Sequence, residues 1–285
     1  MIRHSLLLVY FFFSSAFLLA QYVVDVQVVD LQVSVFDQKG AFLADLKPED
    51  FLVWEDGIPQ DILNVEPARE PFSIGVLLDT SHSMRPHFQT TIRSTQDFLY
   101  SLRDDDEFFL MTFDDRLLFK KDFGLAGERK PVNLDDLRYG DQTRLYDAVI
   151  TGLERLRQAR YPQRALFVIS DGINTSGSGD LGTAIERAQK SKVIVYGLIF
   201  DNDDVNQNAL RMLSDATGGS YFILYENLPR LQAAYEKIAA DLAHRFTLIY
   251  RSRSDYHRPR KPQIKVRMKD PLLRVRYQKT YYPLP

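Results

Sequence analysis

Between Phe72 and Leu242, continuous apolar runs alternate with stretches whose apolar residues recur every three or four positions. Residues 73–78, 107–113, 165–170 and 193–200 run apolar without alternation, as strands buried on both faces do. Between them Leu145, Ala148, Val149, Leu153 and Leu156 mark one side of a helix, as do Phe88, Ile92, Phe98, Leu99 and Leu102 before them. Helical spacing returns around Ala184, Leu210 and Leu231, and Gly218-Gly219 ends the helix around Leu210. Residues 117–121 read as an edge strand beside 107–113, and residues 221–224 as the last strand. Buried strands alternating with helices predict an α/β fold with a doubly wound, mostly parallel sheet.

The rhythm differs on both sides of this unit. Residues 23–36 alternate loosely, with a slip of phase near Asp30, and Gln38-Lys39-Gly40 reads as a hairpin turn. Pro48 opens a single helical turn, and Asp56-Gly57 links two short strands. After His244 three more strands are expected, at 246–250, 263–268 and 272–277. The two blocks carry opposite charge. Residues 21–70 hold 3 Lys/Arg against 11 Asp/Glu, and residues 245–285 hold 12 against 2. The economical arrangement is a small β-sandwich built from both blocks, with the α/β unit inserted. That divides the chain into 1–20, 21–70, 71–244 and 245–285. Charge attraction between the blocks would add a weak, salt-dependent contribution.

Residues 1–20 carry Arg3 and then an uncharged run from Leu6 to Ala20. The run is short for a membrane span and fits a cleaved signal peptide, with Ala20 before the cut; an uncleaved N-terminal anchor is the alternative. The expected location is secreted, periplasmic or otherwise in the cell envelope, and an exported chain without cysteine suits a bacterium. The absence of cysteine excludes disulfides, thiolate metal sites and cysteine nucleophiles. Five scattered histidines argue against zinc catalysis, and a formal net charge of -2 argues against a nucleic-acid binder.

Asp79-Thr80-Ser81-His82-Ser83 stands at the end of the first buried strand. Alone it is a weak signal, equally readable as a helix cap. Thr143, ahead of the second helix, and Asp171, at the end of a later buried strand, sharpen it. Loops at the carboxyl ends of parallel strands converge on one edge, so Asp79, Ser81, Ser83, Thr143 and Asp171 can meet there. Three hydroxyls and two carboxylates suit a hard cation, above all Mg²⁺, with Mn²⁺ or Ca²⁺ as alternatives. A cation held mainly by neutral hydroxyls keeps enough charge to take a carboxylate oxygen from outside.

These residues, in this order and strand context, resemble the von Willebrand factor type A domain with its metal-ion-dependent adhesion site. Residues 168–172 and 216–222 are also similar to that family, and the resemblance spans roughly residues 72–243. The flanks, with Leu46, Pro48-Glu49-Asp50-Phe51, Glu55-Asp56-Gly57 and Tyr281-Tyr282, resemble a bacterial secreted branch of it. The resemblance implies a non-enzymatic binding or adhesion protein that captures a partner through its Glu or Asp side chain. It also implies that the two serines and the threonine coordinate the metal directly or through water as the site switches, while the aspartates often act through water. Position 82, usually Gly in the family, is His82 here. A solvent-facing imidazole is the bland explanation; contact with the ligand is the other.

Asp201 opens an acidic stretch, 201–204, expected on the metal's edge either as ligand-adjacent residues or as a solvated turn. The basic tail, with Arg251, Arg253, Arg258, Arg260 and Lys261, either pairs with the acidic block or touches an anionic membrane or envelope surface. Ser81 and Ser83 lack a His–Asp partner set, so no hydrolase is expected. The alternative to a metal-dependent binding module is an envelope assembly component, with the contact made by the β-strand blocks and the metal only structural.

Overall fold

A computed structural model describes residues 27–68, 70–128, 130, 132–134, 136–200, 206–224, 228–253 and 261–282 of the chain. The expected signal segment, residues 23–26 and the acidic stretch 201–204 lie outside these. The elements run β1 (Val28–Phe36), β2 (Phe51–Glu55), β3 (Ile58–Pro67), β4 (Phe72–Asp79), α1 (Phe88–Ser101), β5 (Glu107–Phe113), β6 (Leu117–Leu125), α2 (Leu145–Leu156), β7 (Gln163–Ser170), α3 (Leu181–Lys190), β8 (Ile194–Phe200), α4 (Gln207–Thr217), β9 (Tyr221–Leu224), α5 (Leu228–Ala243), β10 (Arg245–Arg251), β11 (Ile264–Met268) and β12 (Arg274–Tyr277). Among the described residues no helix is long and apolar enough to cross a membrane.

Six strands form the expected mixed sheet in the order β6-β5-β4-β7-β8-β9. All neighbours are parallel except the edge strand β6, which runs antiparallel to β5. Every residue of β4, β5 and β8 is buried because helices cover both faces. On one face Ile74, Val76 and Phe167 pack with Phe98 of α1 and Ile238 of α5. On the other, Leu77, Phe109 and Val168 pack with Leu153 of α2, Ala184 of α3 and Leu213 of α4. Each large apolar side chain so buried contributes about 1.5–3 kcal/mol. From β4 the chain moves to one side, through β5 and β6, then crosses back to β7, β8 and β9. The strand order therefore reverses at β4 and β7, and a crevice opens at their carboxyl ends.

The flanking blocks do pair, and their strands interleave in the order β11-β2-β3-β10-β1-β12. They form one antiparallel sheet, where a sandwich of two sheets was expected. The reason lies in β3, which is long enough to serve two partners. Its first residues pair with β2, and residues from Asp61 on pair with β10 past a bulge at Ile249/Tyr250. The sheet curls until its ends meet, where Gln263 bridges Thr280 and the Ile264 N–H donates to Lys279 O at 2.8 Å. Val33, Val35, Phe51, Val53, Phe246, Leu248 and Val266 fill the interior. The expected slip in β1 is not found among its described residues. Pairing with β10 runs unbroken from Val28 to Ser34, so Val29, Leu31, Val33 and Val35 all face inward and Val28 is exposed.

Charge contributes less to this pairing than the composition suggests. Between the blocks Arg253 pairs with Asp61 on the surface. The strongest use of the basic block is at the junction with the α/β unit. Arg245, fully buried, donates to Asp241 of α5 at 3.2 Å, to the Tyr196 hydroxyl at 3.1 Å and to Gly218 O at 3.1 Å. Arg276 reaches the same carboxylate at 3.0 Å, and Ser34 and Tyr196 donate hydroxyls to it. Burial and the neighbouring Asp241 raise the Tyr196 hydroxyl well above its usual pKa, so it remains a donor. Asp241 thus ties β1, β8, β10 and β12 to α5.

Candidate metal centre

The carboxyl end of β4 carries Asp79 to a fully buried position. Its Oδ1 accepts the Ser81 N–H at 2.8 Å, and its Oδ2 accepts the Ser170 hydroxyl at 2.6 Å. Burial raises its pKa to about 7, against the lowering effect of those donors and with a further push from the Asp171 charge. The backbone turns out of the strand at Ser81 into a short 3-10 segment, His82–His87, which leads into α1. That turn sets the Ser81 and Ser83 hydroxyls 3.1 Å apart.

The second loop joins the first through backbone. Gly140 bridges Ser81 in parallel, and its N–H donates to Thr80 O at 3.0 Å. A side chain at 140 would not fit, since a Cβ would lie 2.2 Å from Asp115 Oδ1 and 2.5 Å from Asp114 Cβ. Thr80 in turn donates its N–H to Phe113 O at 2.8 Å and its hydroxyl to Asp114 at 3.1 Å. Thr143 follows, buried, with its N–H on Thr175 Oγ1 at 2.8 Å and its carbonyl accepting the Thr175 and Ser176 N–H groups.

The third loop leaves β7. Asp171 is fully buried and accepts the Ile173 N–H at 3.1 Å. Gly172 turns the chain with φ +80°, where a Cβ would meet Asn206 O at 2.2 Å. Asp147 of α2 holds the far side of this loop. Its carboxylate accepts the Gly179 N–H at 2.7 Å and the Arg144 guanidinium at 2.7 Å. Burial opposes its ionisation, but these donors outweigh burial and hold its pKa below the usual range.

Asp79, Ser81, Ser83, Thr143 and Asp171 therefore share one edge, with hydrogen bonds linking Asp79, Ser81 and Ser83 directly and Gly140 and Ser170 joining the other loops to them. His82 is exposed on the rim. Asp201 lies outside the described residues. Sequence reasoning passed over Ser170, which bridges Asp79 and the Gly172 N–H, and the Asn174-Thr175 pair, which fastens Thr143 and Tyr146. Ser170 opens the Ser170-Asp171-Gly172 turn, and Asn174-Thr175 follow it after Ile173, with no spacing that marks either as part of a site.

The donor set fits a hard cation. It is entirely oxygen, and the Asp79 carboxyl, hard to ionise in this buried setting, would regain its charge beside a positive ion. Among the described residues no group of three or more His, Cys, Asp or Glu side chains is placed to hold a metal. Neither His82 nor His87 is hydrogen-bonded to Ser81 or Ser83 among the described residues; His87 is buried and stacks on Phe200 at 4.8 Å.

Comparison with known proteins agrees with the fold. No curated protein sequence matches the chain significantly. Among solved structures it is similar to proximal thread matrix protein 1 from the mussel byssus, at 17% identity and a TM-score of 0.51, over 66% of this chain and 50% of that one. A structure of the same byssus protein with a zinc-occupied MIDAS motif matches at 19% identity and 0.50, over 65% of this chain and 48% of that one. A von Willebrand factor type A protein from Catenulispora acidiphila matches at 13% identity and 0.51, over 77% and 51%. The chain spans about half the length of each. The family model for the von Willebrand factor type A domain matches residues 73–237, more than half of the sequence, with Asp79, Ser81, Ser83, Thr143 and Asp171 all inside the match. The chain belongs to the von Willebrand factor type A domain family.

Proposed function

We propose that this chain is an exported binding module that captures a protein partner through one of its acidic side chains and a divalent cation. Asp79, Ser81, Ser83, Thr143 and Asp171 would hold the cation. Mg²⁺ suits the donors best, with Mn²⁺ and Ca²⁺ as the other hard cations of this class. The bound ion supplies a positive centre that accepts a carboxylate oxygen. The observation that carries the reading is the buried Asp79 carboxyl, with two paired serine hydroxyls and a second buried carboxyl beside it on a sheet edge where the strand order reverses. The zinc seen in the MIDAS motif of the byssus protein supports a cation in this type of site.

The protein's own residues prepare the site. Ser170 and the Ser81 N–H fix the Asp79 carboxyl in orientation. Gly140 and the Thr143–Thr175 bonds set the second loop, so little reordering opposes binding. The serine hydroxyls face each other, and neither His82 nor His87 is hydrogen-bonded to either among the described residues, which favours binding over a His-assisted nucleophile. Export rests on the sequence of residues 1–20 and places the module in the secreted or periplasmic and envelope space. The unit of function is the 71–244 segment carried between 21–70 and 245–285.

The test is capture from an envelope extract by the full chain, with Mg²⁺ and with EDTA. Partner recovery that needs Mg²⁺ supports the reading. Recovery unchanged by EDTA transfers the contact to the β-strand blocks and leaves the metal structural; turnover of a substrate would make the protein an enzyme.

A further inference from the structure

At the opposite edge of the parallel sheet, where β7 and β8 begin, a cleft of about 330 Å³ separates β1 from the α/β unit. That volume falls in the range of small-ligand sites. Five glutamines line it: Gln27 and Gln32 from the β1 side, Gln163 and Gln189 from the α/β unit, and Gln278 after β12. Three are anchored by their amide N–H groups. Gln32 donates to Thr247 Oγ1 at 2.9 Å, Gln189 to Ala216 O at 3.1 Å, and Gln278 to Gln189 O at 3.3 Å. Gln278 uses both of its amide N–H groups, on Gln189 O and Thr280 O, and Gln32 and Gln189 use one each, so acceptor oxygens outnumber the free N–H donors. The Oε1 atoms of Gln27 and Gln32 are buried and without a hydrogen-bond partner among the described residues. Buried acceptors lacking a donor are costly, so the cleft calls for a ligand rich in O–H or N–H groups.

The cleft opens into a groove of about 670 Å³ and shares Arg164, Lys190 and Lys192 with it. The groove adds Arg157 and Arg187, with Glu154 as its one carboxylate lining residue. Arg187 pairs with Glu154, Lys190 with Glu186 and Lys192 with Asp30. Arg157 and Arg164 form no ion pair among the described residues. Cations at the ends of α2 and α3 complement the helix dipoles, which accounts for Arg157, Arg187 and Lys190. It does not account for Arg164, which comes from β7.

We propose that the cleft and groove bind an acidic saccharide, its hydroxyls donating to the glutamine oxygens and its carboxylate or phosphate group meeting Arg164, Lys190 and Lys192. The site is remote from Asp79 and needs no metal. The test is titration calorimetry of the full chain in EDTA with tri-galacturonate, a neutral galactose trimer, inorganic phosphate and a short single-stranded DNA. Tri-galacturonate should bind at least roughly tenfold more tightly than the neutral trimer and than phosphate. Arg164→Gln and Lys192→Gln should each weaken the acidic trimer severalfold and leave the neutral one unchanged. Gln27→Ala should weaken both saccharides and leave phosphate unchanged, and circular dichroism should show all three variants folded. No binding of tri-galacturonate at millimolar concentration would overturn the proposal. Equal affinity for the neutral trimer, for phosphate or for the DNA would overturn it too, as would indifference of the acidic trimer to the charge variants.

Discussion

Asp79 shows how one side chain can be costly to the fold and useful to the site. Its carboxyl is buried with two donors and a neighbouring acid, and its pKa is raised to about 7. A carboxyl in the unfolded chain ionises near 4, so the folded state without metal binds a proton more tightly than the unfolded state. The resulting penalty grows as pH rises from about 4 to about 7 and stays constant above. A rise of this size corresponds to roughly 4 kcal/mol. Asp79→Asn removes the charge and retains the shape. In EDTA the variant should melt higher than the wild type at pH 8, and the gap should fall to less than half of that by pH 5, closing only below about pH 4. Melting curves at the two pH values check this, and a gap of the same size at both would show that the charge carries no such cost.

At the scale of elements, three loops become one site because backbone contacts fix their spacing. The Gly140 bridge to Ser81 is the tightest of these, with Asp114 and Asp115 packed where a Cβ would go. Gly140→Ala should push the second loop, and Thr143 with it, away from Ser81. The expectation is a loss of about 1–3 kcal/mol in stability, as for other overpacked sites, with a fall in Mg²⁺ affinity beyond what the stability change explains. Denaturant melts and metal titration of the same sample check both. The parallel strands and both helix layers were legible because unbroken apolar runs and 3.6-residue spacing report burial on two faces and on one. The placing of Asp79, Ser81, Ser83, Thr143 and Asp171 on one edge was legible because a doubly wound sheet brings strand ends together. Ser170, Asn174, Thr175 and Asp147 were not, because they act through hydrogen bonds to backbone groups and to the side chains of Asp79 and Arg144, which leave no spacing pattern in the sequence. The single curled sheet was missed for a related reason: alternation shows that a strand has an inner face, and only the length and bulge of β3 reveal that it serves two partners.

Across the whole molecule, the β-strand blocks and the α/β unit are joined by a buried charge cluster around Asp241. Removing one partner of such a cluster leaves a charge without compensation and typically costs about 3–5 kcal/mol. Arg245→Ala should lower stability by that order and make residues 27–67 quick to be cleaved, because β10 is also the strand between β3 and β1. Deleting residues 245–285 should have the same effect more strongly, with 72–243 remaining resistant. Equal protection of the first block in limited proteolysis would mean that it is held by contacts other than β10 and β12. The proposed metal site lies on the edge of the parallel sheet away from this junction, so cation binding can be measured on the intact protein without disturbing its architecture. Titration of Mg²⁺ into the full chain and into Asp79→Ala, followed by calorimetry at pH 7.5, tests the functional reading most directly. One Mg²⁺ should bind the wild type and none the variant, with circular dichroism unchanged between them. Equal Mg²⁺ affinity in both proteins, or no binding to the wild type, would contradict it.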